Sequence, residues 1–222
     1  MQKHTAPESS LSLLGMFAFS LVLNGFGNGL TVALNLGSAL WTASAVNLSH
    51  TFTLRLSWVL LLEGVAVVIV NALILGQLDW RRILGNFLYM IPFSFLVSGW
   101  ADLIRLTPVV TWPLAVRVVL DLLGVVCIGS AVSVYQRLNI MLHPNDDFMQ
   151  IIRFRFLHGN AAAAQPASFI PPIMISTVCW AATGAIYAVN IGTLFSLLAQ
   201  GAVVGLADRW LFPRLQHRHL RV

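Results

Sequence analysis

Long apolar runs separated by short polar gaps account for most of this 222-residue chain. A helix rises about 1.5 Å per residue, so crossing the roughly 30 Å hydrocarbon core of a bilayer takes about 20 mostly apolar residues. Runs of about this length occupy 11–36, 56–78, 83–101, 118–135, 169–189 and 191–206. They predict an all-α polytopic membrane protein with about six transmembrane helices in a single transmembrane domain over 1–222. The last run is short and holds Gly192, Gly201 and Gly205 behind a turn of little more than Asn190. Five spans plus a re-entrant segment is therefore the alternative.

Composition agrees with this pattern. Hydrophobic residues make up 58% and charged ones 9%, against roughly 25% charged in a soluble domain, so a water-facing surface cannot be built. The net charge of +5 is scattered through the gaps instead of forming one patch. That is a topology signal and no nucleic-acid footprint. With the N-terminus cytoplasmic, the gaps on that side hold Lys3, Arg81, Arg82, Arg137, Arg153, Arg155, Arg209, Arg214, Arg218 and Arg221. The other side holds only Arg55, Arg105 and Arg117. The imbalance predicts both termini in the cytoplasm and a basic cytoplasmic tail over 212–222. The first residues open into an apolar run too long for a signal peptide, so a retained first helix is expected. Cys127 and Cys179 lie inside apolar runs, where sulfur acts as a small hydrophobe.

An internal repeat appears at spacings of 102 to 107 residues. Residues 27–42 set over 129–144 keep small or apolar character, including Leu36 with Leu138 and Leu40 with Leu142. Residues 85–102 run parallel to 192–208 with one gap. Two copies of three spans follow, at about 11–105 and 112–211. Three is odd, so the second copy is expected to enter the membrane from the opposite face. Many secondary transporters are built from such inverted three-helix repeats, with the solute site near the midplane where the copies meet.

Polar residues inside the apolar runs are the candidates for function. Glu63 falls about seven positions into the second run, roughly 10 Å deep at helical rise. An acid there must be paired, wetted or neutral, and the bland reading is a hydrogen bond to a neighbouring helix. Asp121 follows Arg117 by four residues, which puts both on one helix face as an expected ion pair. Two segments after the first helix of each copy are expected to line a cavity. One is 35–42, with Gly37 and the platform of Trp41; the other is 143–147, with Pro144, Asn145 and Asp146, ahead of a basic amphipathic stretch to His158. Trp41 as an interface anchor and Asn145 or Asp146 as a helix N-cap are the scaffold alternatives. Gln200 and Pro92 fall at nearly corresponding positions of the two copies, where a polar or broken helix exposes backbone to a solute. Gly25 with Gly29, and Gly201 with Gly205, have the spacing of close helix packing. The 161–164 alanines read as linker, and His217 and His219 as interfacial. Phosphate loops, HExxH, GxSxG and zinc cysteine patterns do not occur, so no enzyme activity, cofactor or metal is expected.

At the two segments that follow the first helix of each copy, the sequence resembles the YczE/YyaS/YitT family of bacterial integral membrane proteins. That family carries a Leu-Gly-x-x-Pro-Trp-Asp type motif after the first helix and a Pro-x-Asp motif in the second half. Here the second copy has Pro144, Asp146 and Met149, while the first keeps Leu36, Gly37 and Trp41 but has Leu40 for the proline and Thr42 for the acid. The resemblance implies the bacterial cytoplasmic membrane. The expected function is a small-solute permease of unknown substrate, with Trp41, Glu63, Asp121, Pro144, Asp146 and Gln200 near the path. The alternatives are a substrate-binding membrane subunit of a larger uptake complex and a non-transporting accessory membrane protein. Expected partners are the lipid bilayer, an unknown small solute, and either further copies of the chain or a partner membrane subunit.

Overall fold

The computed structural model describes residues 10–213 and Leu215. Lys3, His217, His219 and most of the basic tail lie outside the described residues. All regular structure among the described residues is helical: α1 (Ser10–Leu34), α2 (Leu40–Phe52), α3 (Leu56–Leu75), α4 (Trp80–Arg105), a 3-10 turn at Pro108–Thr111, α5 (Leu114–Leu138), α6 (Pro144–Arg155), α7 (Ala161–Ser168), α8 (Ile170–Thr183) and α9 (Ile191–Trp210). Six stretches are long and apolar enough to cross a membrane: α1, α3, α4, α5, α9 and the α7–α8 region over Ala163–Thr183. This is a multi-pass membrane protein.

Burial is reversed relative to a water-soluble protein. Leu11, Leu73 and Leu198 are each at least 75% exposed, while Asn24, Asn28, Glu63, Asn86, Asp121 and Arg137 are buried. Lipid provides no hydrophobic drive to bring helices together, so close packing and interior hydrogen bonds do that work.

The order of elements occurs twice. A long helix ends at an asparagine with positive φ, Asn35 at 52° and Asn139 at 46°. A short helix follows, then a span that ends at a positive-φ glycine, Gly76 or Gly184. The last span is capped by the side chain of Asp79 or Asn190. The helix ends put Asn35 over Asn139 and Thr42 over Asp146, a register of 104 where the residue pattern suggested 102 for this block. The packing follows the same correspondence. A Cβ added to Gly25 would press on Leu96 of α4, and one added to Gly129, at the same place on α5, would press on Val203 of α9. The short helices cross over, α2 packing on α8 and α6 on α3.

Several expectations are corrected. The 161–164 alanines are no linker: Asn160 caps α7 by accepting from Ala163 N, and Gln165 and Ser168 continue it. The fifth span is the broken one, interrupted at Phe169 among Pro166, Pro171 and Pro172, because proline removes main-chain donors. Pro92, in contrast, sits inside an uninterrupted α4. Arg137, counted with the loop charges, is 2% exposed. It donates to the carbonyls of Asp208, Leu211, Phe212 and Leu215 and so ties down the end of α9. Gly25 and Gly29 do pack closely on α4, but Gly201 and Gly205 have nothing within 4 Å.

A Cβ at Gly29 would sit 3.0 Å from the main chain of both Val97 and Ala101, and main chain cannot move aside. Gly29→Leu should therefore lower the melting temperature of the detergent-purified protein, at a cost of about 1–3 kcal/mol. Gly201→Leu should leave it unchanged, and equal shifts for the two would contradict this packing.

Candidate functional site

Four polar side chains on or beside α1 form a chain of hydrogen bonds toward the centre. Asn24 and Asn28 lie one turn apart, and Asn28 Nδ2 donates to Asn24 Oδ1 at 2.9 Å. Asn24 Nδ2 donates to the Tyr89 hydroxyl at 2.9 Å, and Thr42 Oγ1 to Asn28 Oδ1 at 2.6 Å. Thr42 is the third residue of α2. Its counterpart Asp146, third residue of α6, accepts from the Tyr135 hydroxyl of α5 at 2.5 Å. Each short helix thus opens with a side chain bonded to the long helix that precedes it.

These openings face one cavity of about 80 Å³. Ala39, Trp41 and Thr42 line it from α2, and His143, Asn145, Asp146 and Met149 from α6. Glu63 reaches it from α3, Phe93 from the middle of α4, and Gln200 from α9. The break in the fifth span contributes Ser168 and Phe169. The Ser44 hydroxyl donates to Glu63 Oε1 at 2.5 Å, and Trp41 is set by an edge-to-face contact with Phe148. His143, packed against the rings of Tyr89 and Phe93, caps α6: its Nδ1 accepts from Asn145 N. The cap is His143, and not Asn145 or Asp146.

Two larger hollows lie at opposite ends of α4. One, of about 470 Å³, is lined by Asn35, His50, Arg55, Asp102 and Arg105. The other, of about 490 Å³, is lined by Asp79, Arg82, Asn86, Asn139 and Met141. Asn35 lines the first hollow and Ala39 the cavity, with 36–38 between them in the chain, while 139–142 line the second hollow and lead to His143 at the cavity. The first loop is tied by main chain: Ser38 N donates to Ala188 O and Gly192 N to Leu36 O, both at 2.9 Å. Ala188 N also donates to Asn35 Oδ1 at 2.7 Å. The second loop leads into α6, whose first turn is held through side chains. Arg82 Nε meets Asp147 Oδ1 at 2.8 Å, Asn86 Nδ2 donates to Asp147 Oδ2 at 3.3 Å, and Asn71 Nδ2 to the Pro144 carbonyl at 3.1 Å.

The profile of a family of unknown function, DUF6198, matches residues 12–209. The chain belongs to the DUF6198 family. No curated protein and no solved structure matches it. The match takes in both copies of the element order, and so the whole DUF6198 cavity with both loops.

Of the residues singled out from sequence, Trp41, Glu63, Asp146 and Gln200 come together at this DUF6198 cavity. Pro144 lies just behind it, as the first residue of α6. Asp121 is elsewhere. It is buried under the start of α9, where a Cβ on Gly192 would fall on its Oδ2. The expected Arg117–Asp121 pair does not form: Arg117 donates to the Val110 carbonyl, and neither Asp121 oxygen has a hydrogen-bond partner. The positive end of the α9 dipole faces that carboxyl instead. His143, at the head of the segment expected to line a cavity, does line it, while Asn24, Asn28 and Tyr135 were missed. Asn24 and Asn28, one helical turn apart in an apolar run, were the signal for the first two. Among the described residues, no group of three or more metal-ligating side chains occurs.

Asp147 is 1% exposed against 22% for the Arg82 side chain. Removing the arginine alone leaves a buried carboxylate without its cation. Arg82→Met should destabilise the protein in detergent by on the order of 3 kcal/mol, and adding Asp147→Asn should restore most of the loss. Two variants that simply add would contradict the pairing.

Proposed function

We propose that this protein is a small-solute permease that alternates access between two inverted halves. The observation that carries the reading is the polar cavity with a hollow toward each end of α4, joined to it in the chain by the corresponding segments 35–38 and 139–142. Two short helices of 13 and 12 residues begin at that cavity, and interrupted elements of this kind form midplane solute sites in inverted-repeat transporters. Three spans per copy is an odd number, which makes the copies inverted. With Arg81, Arg82, Arg153, Arg155 and Arg209 toward the cytoplasm, the hollow bounded by Arg82 opens inward and that bounded by Arg55 and Arg105 opens outward. The membrane is the bacterial cytoplasmic membrane.

A second reading, the membrane subunit of a larger uptake complex, is favoured by the open faces of Gly201 and Gly205 on α9. It predicts copurification with an ATPase and no transport by the purified chain alone.

Access is measurable without knowing the solute. In a protein with Cys127 and Cys179 replaced by serine, Ala39→Cys places a thiol at the cavity. A small charged thiosulfonate reagent should reach it slowly from both membrane faces. Asn35→Ala, which removes an acceptor from the first loop, should speed labelling from the outer face. Arg82→Ala should speed it from the inner face. No labelling from either side, or acceleration from the same side in both variants, contradicts alternating access.

A further inference from the structure

The solute itself can be read from the chemistry of the cavity. We infer that it is a small ammonium-type cation, with ammonium and methylammonium the size that fits. The inference rests on the permease reading of the same site and names what passes.

Charge comes first. Glu63 and Asp146 both line the cavity, and among the described residues no lysine or arginine does. Two helix openings bring roughly half a positive charge each, and a cation bound beside the two carboxyls favours their ionised form. The opening of α6 is already met by Asp146 and Asp147 in its own first turn. His143 accepts a main-chain N–H at Nδ1, so its ring is the neutral form and adds no charge.

The hydrogen-bonding balance points the same way. The hydroxyl protons beside the cavity are committed to protein partners: Thr42 to Asn28, Tyr135 to Asp146 and Ser44 to Glu63. Asn24 and Asn28 give their amide protons to Tyr89 and Asn24. Asn145 Oδ1 is buried with no donor at all, although it belongs to a residue that lines the cavity, and each carboxylate can accept more than the one hydrogen bond just named. Donors line the cavity too: the amides of Gln165 and Gln200, the latter with its Oε1 accepting from Ser196 at 2.6 Å, and Nε2–H of His143, whose Nδ1 is the acceptor. An ammonium group presents donors and no acceptor, which is the complement of the two carboxyls. The aromatic wall of Trp41 and Phe93 adds attraction for a cation.

Size narrows the class. About 80 Å³ is far below the roughly 300 Å³ at which drug-sized pockets begin, which favours the smallest members of the class.

The test uses radiolabelled methylammonium and the purified full-length chain, with binding by equilibrium dialysis and uptake into liposomes measured separately. Wild type should bind and take up the probe, ammonium should compete, and choline, urea and acetate should not. Glu63→Gln keeps an oxygen for Ser44 and should weaken binding by about tenfold or more with the melting temperature retained. Competition by urea or acetate as strong as by ammonium overturns the inference, as does unaltered binding in a folded Glu63→Gln protein. Should that variant not fold, Trp41→Leu and Asn145→Ala take its place: several-fold weaker binding supports the cation site, and unchanged affinity in both overturns it. Binding without uptake supports the cation site and overturns the permease reading. Uptake of urea without methylammonium binding does the reverse.

Discussion

The interior hangs from a crossing of α1 and α5 at which two backbones touch. A Cβ on Gly27 would meet the Gly124 carbonyl, and one on Gly124 would meet Thr31 and the Gly27 carbonyl. In lipid such contact is what holds helices together, because apolar side chains gain little by leaving hydrocarbon for protein. With the two long helices locked at their middles, each can carry its own last span on one flank, α4 on α1 and α9 on α5. The short helices then fill the space that the crossing leaves, and that space is polar.

A polar interior in an apolar medium is sustainable only if its groups satisfy one another. Around the cavity most of them do so in chains: Thr42 to Asn28 to Asn24 to Tyr89 on one side, and Tyr135 to Asp146 on the other. The same requirement explains Arg137, whose guanidinium replaces the water that the last carbonyls of α9 would otherwise need. Main-chain groups left over where α2 and α6 begin are met by loops from the opposite copy or by a side-chain cap. Cavity, loops and helix openings are parts of one hydrogen-bond arrangement.

Much of this was legible in the sequence. Span number follows from run length, and the repeat from glycines, of which packing enforces Gly27, Gly129 and Gly192. Glu63, Trp41, Asp146 and Gln200 were found because each is costly or unusual where it stands. The short α2 was read only as a polar segment, since thirteen residues with Ser44, Asn47 and Ser49 give no spanning signal. Asp121 misled because sequence spacing reports a shared helix face and not the direction in which Arg117 turns. The 161–164 alanines misled for a different reason: alanine next to prolines carries no burial signal, and the second span of the second copy begins there. The register error of two residues arose because glycines were matched to glycines, whereas the positive-φ asparagines that end α1 and α5 fix the true correspondence.

One pair of equivalent positions gives the molecule a polarity that its element order lacks. Ala43 and Asp147 occupy the same place on α2 and α6, and both are buried, at 0% and 1% exposure. One short helix therefore carries a methyl group where the other carries a carboxylate that needs Arg82 as its partner. A change that disturbs charge, such as protonation or loss of the arginine, loosens α6 at this position and has no counterpart on α2.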